Sequence, residues 1–264
     1  MSRLEKAFKQ PAPRLIPFIM TGDPSIEVTE ELIMEMDQAG VAAIELGVPF
    51  SDPSADGPVI QAASERALSQ QVTCRDVLEL GRRVRKRGCQ TPLILFSYLN
   101  PLFQYGMEDL FQAASEAGFD GVIIPDLPFE ESSSFRPLSS RYQLPLISFV
   151  APTSQKRMQK IGEEAEGFLY CISSLGTTGT RQEFADQIES FLQEVKQYSR
   201  VPIAIGFGIS EPKHVRYFSE WVDAVIVGSA LVKRIAERKE RLIQKNSRQQ
   251  ALEEIISFVK ELRK

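Results

Sequence analysis

Two carboxylates eleven positions apart, Glu45 and Asp56, are the residues of this chain best suited to moving protons. Glu45 interrupts the run Val41-Ala42-Ala43-Ile44-Glu45-Leu46, which is otherwise apolar and reads as a strand buried on both faces. Side chains alternate along a strand, so Ile44 and Leu46 share one face while Ala43, Glu45 and Gly47 share the other. A carboxyl on that small-residue face is disfavoured unless it is paired, neutral or directed into a polar cavity. A structural ion pair and a site acid both satisfy that condition. Asp56 follows in a loop with three prolines and two glycines, at the strand end where parallel α/β folds place their chemistry. Asp56 also reads as part of a helix start, with Pro58 in the first turn and Asp56 or Gly57 near the cap.

Glycine turns supply a second kind of chemistry. Gly206-Phe207-Gly208-Ile209-Ser210 and Gly228-Ser229-Ala230 each follow an apolar run, and glycine lets backbone N–H groups approach an anion closely. Glu211 stands where a dinucleotide fingerprint needs its third glycine, so a phosphate group is the better match. Ser229 opens the last helical region, where it serves either an anion or an N-cap. The segment Ser174–Arg181, containing Gly176-Thr177-Thr178-Gly179, reads equally as a surface loop or as a lid whose Thr178 reaches across the mouth. Phe18, Phe96, Tyr98, Tyr170 and Phe207 sit at strand ends beside these groups. Most barrel aromatics are core, but together with the acids and the glycine turns they suggest a phosphorylated substrate with an aromatic part. Asp126 reads as a site acid or as a support for neighbouring loops. His214 is the single histidine and reads as surface. With Cys74, Cys89 and Cys171 scattered, no metal is expected, and Ser-His-Asp catalysis has no support beyond the residue types.

The elements that must hold these residues alternate regularly. Short Val- and Ile-rich runs fall at 15–20, 42–46, 93–98, 121–125, 144–150, 167–172, 202–206 and 224–228, with helical periods between them. Eight strands, each followed by helix, predict an α/β fold: a single (β/α)8 TIM barrel over residues 1–264. Extra helices are expected at the N-terminus and after strand two. The charge-rich tail from Lys233 onward reads as a solvated helical face without a function. At 43% apolar and 25% charged, the chain can build a sizeable core. A net charge of −4 without a broad basic field argues against nucleic acid as a partner. No signal-peptide core or membrane-length apolar run is seen, and the odd, dispersed cysteines fit a reducing compartment, so a cytoplasmic protein is expected.

Several of these segments together are similar to one family. Pro17-Phe18, Thr21-Gly22-Asp23-Pro24, Glu45-Leu46-Gly47-Val48-Pro49-Phe50-Ser51-Asp52-Pro53 followed by Ala55-Asp56-Gly57-Pro58, Tyr98-Leu99-Asn100-Pro101, Pro125-Asp126-Leu127-Pro128, Gly176-Thr177-Thr178-Gly179, Gly206-Phe207-Gly208-Ile209-Ser210 and Gly228-Ser229-Ala230 occur in the order seen in tryptophan synthase alpha subunits. The resemblance implies reversible retro-aldol cleavage of indole-3-glycerol phosphate to indole and D-glyceraldehyde 3-phosphate. It implies Glu45 as acid–base group and Asp56 as the partner of the indole N–H. It also implies substrate contacts from Phe18, Phe96, Tyr170, Thr178, Gly179, Phe207, Gly208, Gly228 and Ser229. No cofactor is implied on this chain. The partner implied is a pyridoxal-phosphate beta subunit, in an α2β2 heterotetramer that receives indole for L-tryptophan synthesis. Ser54, Ser174 and Thr177 depart from the family's usual leucine, arginine and valine. They bear on the lid and on partner affinity rather than on proton transfer. Another phosphate-binding barrel lyase or isomerase would keep the glycine turns without needing both acids. A mainly regulatory subunit would bind ligand with little turnover of its own.

Overall fold

The computed structural model describes residues 1–154, 156–172, 181–206 and 208–264. Nine parallel strands form one sheet: β1 (Leu15–Met20), β2 (Ile44–Gly47), β3 (Leu93–Phe96), β4 (Gly121–Ile123), β5 (Leu146–Ile147), β6 (Phe149–Val150), β7 (Leu169–Ile172), β8 (Ile203–Gly206) and β9 (Ala224–Val227). Their spatial order is β5-β4-β3-β2-β1-β9-β8-β7-β6. The two ends of that order are consecutive in the chain and separated by Ser148 alone, so the sheet meets itself and forms a barrel. The fifth expected strand is therefore two short ones. β5 pairs with β4, β6 pairs with β7, and the Ser148 carbonyl accepts the Tyr170 N–H at 3.0 Å across the seam.

Local sequence explains most of the surrounding helices. Ile26–Gln38 starts at Ser25, whose hydroxyl accepts the Val28 N–H, and buries Val28, Leu32, Ile33 and Met36 on one stripe. Cys74–Lys86 opens with a reciprocal capping box between Thr73 and Asp76. Pro58 sits in the first turn of Pro58–Leu68, where its missing N–H has no partner to lose. The N-terminal helix Arg3–Ala7 and the added helix after the second strand lie where the sequence places them. A helix at Leu99–Tyr105 is additional, and the tail is three helices rather than one.

The interior of the barrel separates into two zones. Toward the strand N-termini, Ile16, Ile94, Ile123, Ile147 and Phe168 pack with Leu4 and Ala7 of the first helix. Leu4 is 2% exposed, and such a burial contributes about 1.5–3 kcal/mol. Toward the strand C-termini the same inward face carries Phe18, Glu45, Phe96 and Tyr170, and a cavity of about 480 Å³ opens there. Among the described residues no helix is long and apolar enough to cross a membrane.

Candidate active site

Glu45 sits in the middle of β2, in register with Phe18 of β1 and Ile94 of β3. Its side chain is fully buried, yet neither Oε1 nor Oε2 has a hydrogen-bond partner among the described residues. Of the two readings of this residue, the ion pair is absent among the described residues. Burial alone pushes its carboxyl well above the usual carboxylate range, so the neutral acid persists to higher pH. A buried polar group left unpaired costs about 1–3 kcal/mol. The fold tolerates that cost where Glu45 forms part of the cavity wall.

Asp56 lines the same cavity from the loop after β2. It does not cap the following helix. Gly57 holds the cap position without a side-chain bond, and the Asp56 carbonyl accepts from Gln61 Nε2 at 2.8 Å. Desolvation raises the Asp56 carboxyl, and the neighbouring Tyr98 hydroxyl works in the opposite direction. Tyr98 is buried and also accepts the Ala55 N–H at 3.0 Å. Its ring lies 5.4 Å from that of Phe50, so it braces the loop that carries Asp56. Asp126 proves to be a support, since its carboxylate accepts the Leu99 N–H at 2.8 Å directly after Tyr98.

Aromatic rings form the side walls. Phe18 and Phe96 meet edge to face at 5.2 Å, and Tyr170 lies 4.8 Å from Phe149. Burial raises the Tyr170 hydroxyl well above its ordinary value, and the carboxyls of Glu45 and Asp56 raise it further. Gly206 is obligatory here, because a Cβ would lie 2.6 Å from the Tyr170 hydroxyl oxygen. At the far end of the cavity are Gly208, Gly228 and Ser229. Gly208 has a φ of +49° with nothing near the Cβ position, which leaves backbone open toward the cavity. Gly228 occupies the cap of helix Ser229–Glu237 with no side-chain capping bond, so Ser229 is the first helical residue and not the cap. The orphan N–H groups of that helix end form a ready anion site.

The structure thus brings Glu45, Asp56, Phe18, Phe96, Tyr170, Gly208, Gly228 and Ser229 to one cavity. Thr178, Gly179 and Phe207 lie outside the described residues. Tyr98, Phe149, Gly206 and Lys233 are further residues at or beside the site. Tyr98 and Gly206 fell within segments already singled out in the sequence. Phe149 and Lys233 gave no local signal, because strand pairing sets Phe149 beside Tyr170 and the packing of helix Ser229–Glu237 sets Lys233 on the cavity wall.

A closed parallel barrel with an unpaired buried acid, a second carboxylate and an anion cradle at its C-terminal mouth belongs to the barrel enzymes. Comparison with known proteins narrows this. The profile of the family described as "Tryptophan synthase alpha chain" matches residues 4–263. The tryptophan synthase alpha chain of Geobacillus stearothermophilus is 48% identical over 250 residues, covering 95% of this chain and 93% of that one. The crystal structure of tryptophan synthase subunit alpha from Legionella pneumophila superposes with a TM-score of 0.87 at 38% identity, over 99% of this chain and 98% of the other. A structure of the tryptophan synthase α2β2 complex from Pyrococcus furiosus contains a chain that superposes with a TM-score of 0.83 at 34% identity, over 94% and 97%. The chain belongs to the tryptophan synthase alpha chain family.

Proposed function

We propose how this chain's residues divide the work of its family's lyase reaction, the reversible cleavage of indole-3-glycerol phosphate to indole and D-glyceraldehyde 3-phosphate. The observation that carries the assignment is the fully buried Glu45 carboxyl, unpartnered at both oxygens on the cavity wall. Held neutral by burial, Glu45 donates its proton to C3 of the indole ring. Positive charge then develops at the ring nitrogen, where ionised Asp56 accepts the N–H and offsets it. The Glu45 carboxylate next takes the proton of the glycerol hydroxyl beside the scissile bond. As the aldehyde C=O forms, the carbon–carbon bond breaks and its electron pair returns to the ring. Indole and the aldehyde leave, and Glu45 is again protonated.

The aromatic pairs Phe18–Phe96 and Phe149–Tyr170 suit a flat indole. Gly208, Gly228 and Ser229 hold the phosphate, joined by Phe207 and Gly179, and Thr178 positions Asp56. The chain works as one barrel unit over residues 1–264, in the cytoplasm and without a cofactor of its own. It pairs with a pyridoxal-phosphate beta subunit in an α2β2 assembly and passes indole to it. The test is indole formation from indole-3-glycerol phosphate by the chain alone and with a beta subunit added. Turnover that rises with the partner and is lost in Glu45→Gln supports the whole reading. Turnover retained in Glu45→Gln overturns the role of Glu45.

A further inference from the structure

Lys233 is the only cationic side chain among the described residues lining the cavity, which otherwise presents two carboxyls and small or apolar groups. It lies four residues after Ser229 on helix Ser229–Glu237, so the two share a face about 6 Å apart along the axis. Helical side chains lean toward the helix N-terminus, which carries the lysine stem back toward Ser229. The arginines that follow it are engaged. Arg234 stacks on Phe258 at 3.6 Å and donates to the Ala230 carbonyl, while Arg238 and Arg241 both pair with Glu254. Lys233 is exposed and has no ion-pair or hydrogen-bond partner among the described residues. Glu45, buried and unpartnered in the same cavity, independently marks that cavity as a ligand site.

Charge arithmetic gives this lysine a task. A phosphate monoester carries about −1.5 to −2 charges at neutral pH, whereas a helix N-terminus offers the equivalent of about +0.5. Asp56 lines the same cavity, and its carboxylate form adds repulsion. We infer that Lys233 is a further phosphate-binding residue, whose ammonium donates to a phosphate oxygen seated against Gly228 and Ser229 and selects phosphorylated substrate over its neutral counterpart. This rests on the reading that the cavity binds indole-3-glycerol phosphate.

The test compares the full-length chain with Lys233→Met and Lys233→Arg, using indole-3-glycerol phosphate, unphosphorylated indoleglycerol and inorganic phosphate as probes. Losing one charge-assisted hydrogen bond should raise KM for the phosphorylated substrate about 10-fold, equivalent to ~1.4 kcal/mol. Uniform binding energy is what is lost, so kcat should change by less than about 2-fold, and indoleglycerol turnover should not change. Lys233→Arg should restore KM. In about 1 M salt, where the screening length is about 3 Å, the gap between wild type and Lys233→Met should narrow. Calorimetric binding of inorganic phosphate should weaken in Lys233→Met in parallel. An unchanged KM, an equal loss with both substrates, or no recovery in Lys233→Arg would overturn the inference. Phosphate binding that depends on Lys233 in a chain forming no indole would instead remove the functional reading and leave the lysine's role standing.

Discussion

The two ends of the barrel use the same residue types for opposite purposes. At the N-terminal end the carboxylates of Asp120, Asp37 and Asp223 are hydrogen-bonded. Asp120 takes Arg85 at 2.7 Å, Arg3 at 2.9 Å and the Leu93 N–H at 3.0 Å. Asp37 accepts from the Gln90 and Thr91 N–H groups and the Thr91 hydroxyl. Desolvation favours the neutral form of Asp37, but the hydrogen bonds from Thr91 and Gln90 outweigh it and hold its carboxyl below the usual range. Asp223 accepts the Ile203 N–H at 2.9 Å. At the C-terminal end, among the described residues, Glu45 has no hydrogen-bond partner and Asp56 has a tyrosine, and both are raised. Paired acids tie strands and helices together. The unpaired Glu45 carboxyl holds its proton to a higher pH than an ordinary carboxyl does. One end of the molecule carries stability, and the other sacrifices some of it for chemistry.

The strongest way to break this comparison is Glu45→Gln. Removing a general acid–base group should lower kcat by about 10²–10⁴-fold. The same change should raise Tm, which a merely structural carboxyl would not do. The sign follows from linkage. A group whose folded pKa lies above its unfolded value contributes stability below the unfolded pKa and loses it as pH rises toward the folded one. The gain in Glu45→Gln should therefore grow as pH climbs above the ordinary carboxylate range. A Tm that falls, or a gap that shrinks with pH, would place Glu45 among the stabilising acids.

Asp120→Ala should show the converse. Arg85, partly buried, would lose its carboxylate but keep its bonds to the Gly118, Cys89 and Thr91 carbonyls, at about 1.5–3 kcal/mol of lost stability, while the folded fraction keeps its kcat. Denaturant melts and turnover on the same sample separate the two effects. If kcat per folded molecule falls with stability, the ends are not independent.

Asp56→Asn should lower kcat by about 10–10²-fold, since the amide accepts an N–H but cannot offset developing charge. Free-indole affinity close to wild type would confirm an intact pocket, and a collapse of binding with turnover preserved would contradict the role. Tyr98→Phe sharpens the contrast with the smallest effect, a loss of about 3–10-fold for one hydrogen-bonding group. The hydroxyl works to lower the Asp56 carboxyl, so its removal should raise that carboxyl further. Asp56 must be ionised to act, and activity falls as pH drops through its pKa. The acid limb of the kcat profile should therefore move to higher pH in Tyr98→Phe. An unmoved limb would detach Tyr98 from Asp56.

What the chain shows without its fold is what local rules control. Strand alternation places Glu45 on the small-residue face of β2, and the capping residues Ser25 and Thr73 start helices where they stand. The eight expected strands overlap those observed, because an apolar run bounded by turns reports burial directly. Glycine turns after the last strands line the cavity by the same local logic. Partnership is decided elsewhere. Whether Glu45 had an ion pair depended on which groups β1, β3 and β7 would bring opposite it, and none of those is near in sequence. Asp56 has the residue type of a helix cap, but Gly57 holds that position and Tyr98, more than forty positions on, braces the loop. The break at Ser148 between β5 and β6 follows from strand pairing around the closed sheet, which a single segment does not encode. Lys233 is indistinguishable in sequence from the arginines after it. Only the packing of the last helix against the barrel turns those arginines toward Phe258 and Glu254 and leaves the lysine facing the cavity.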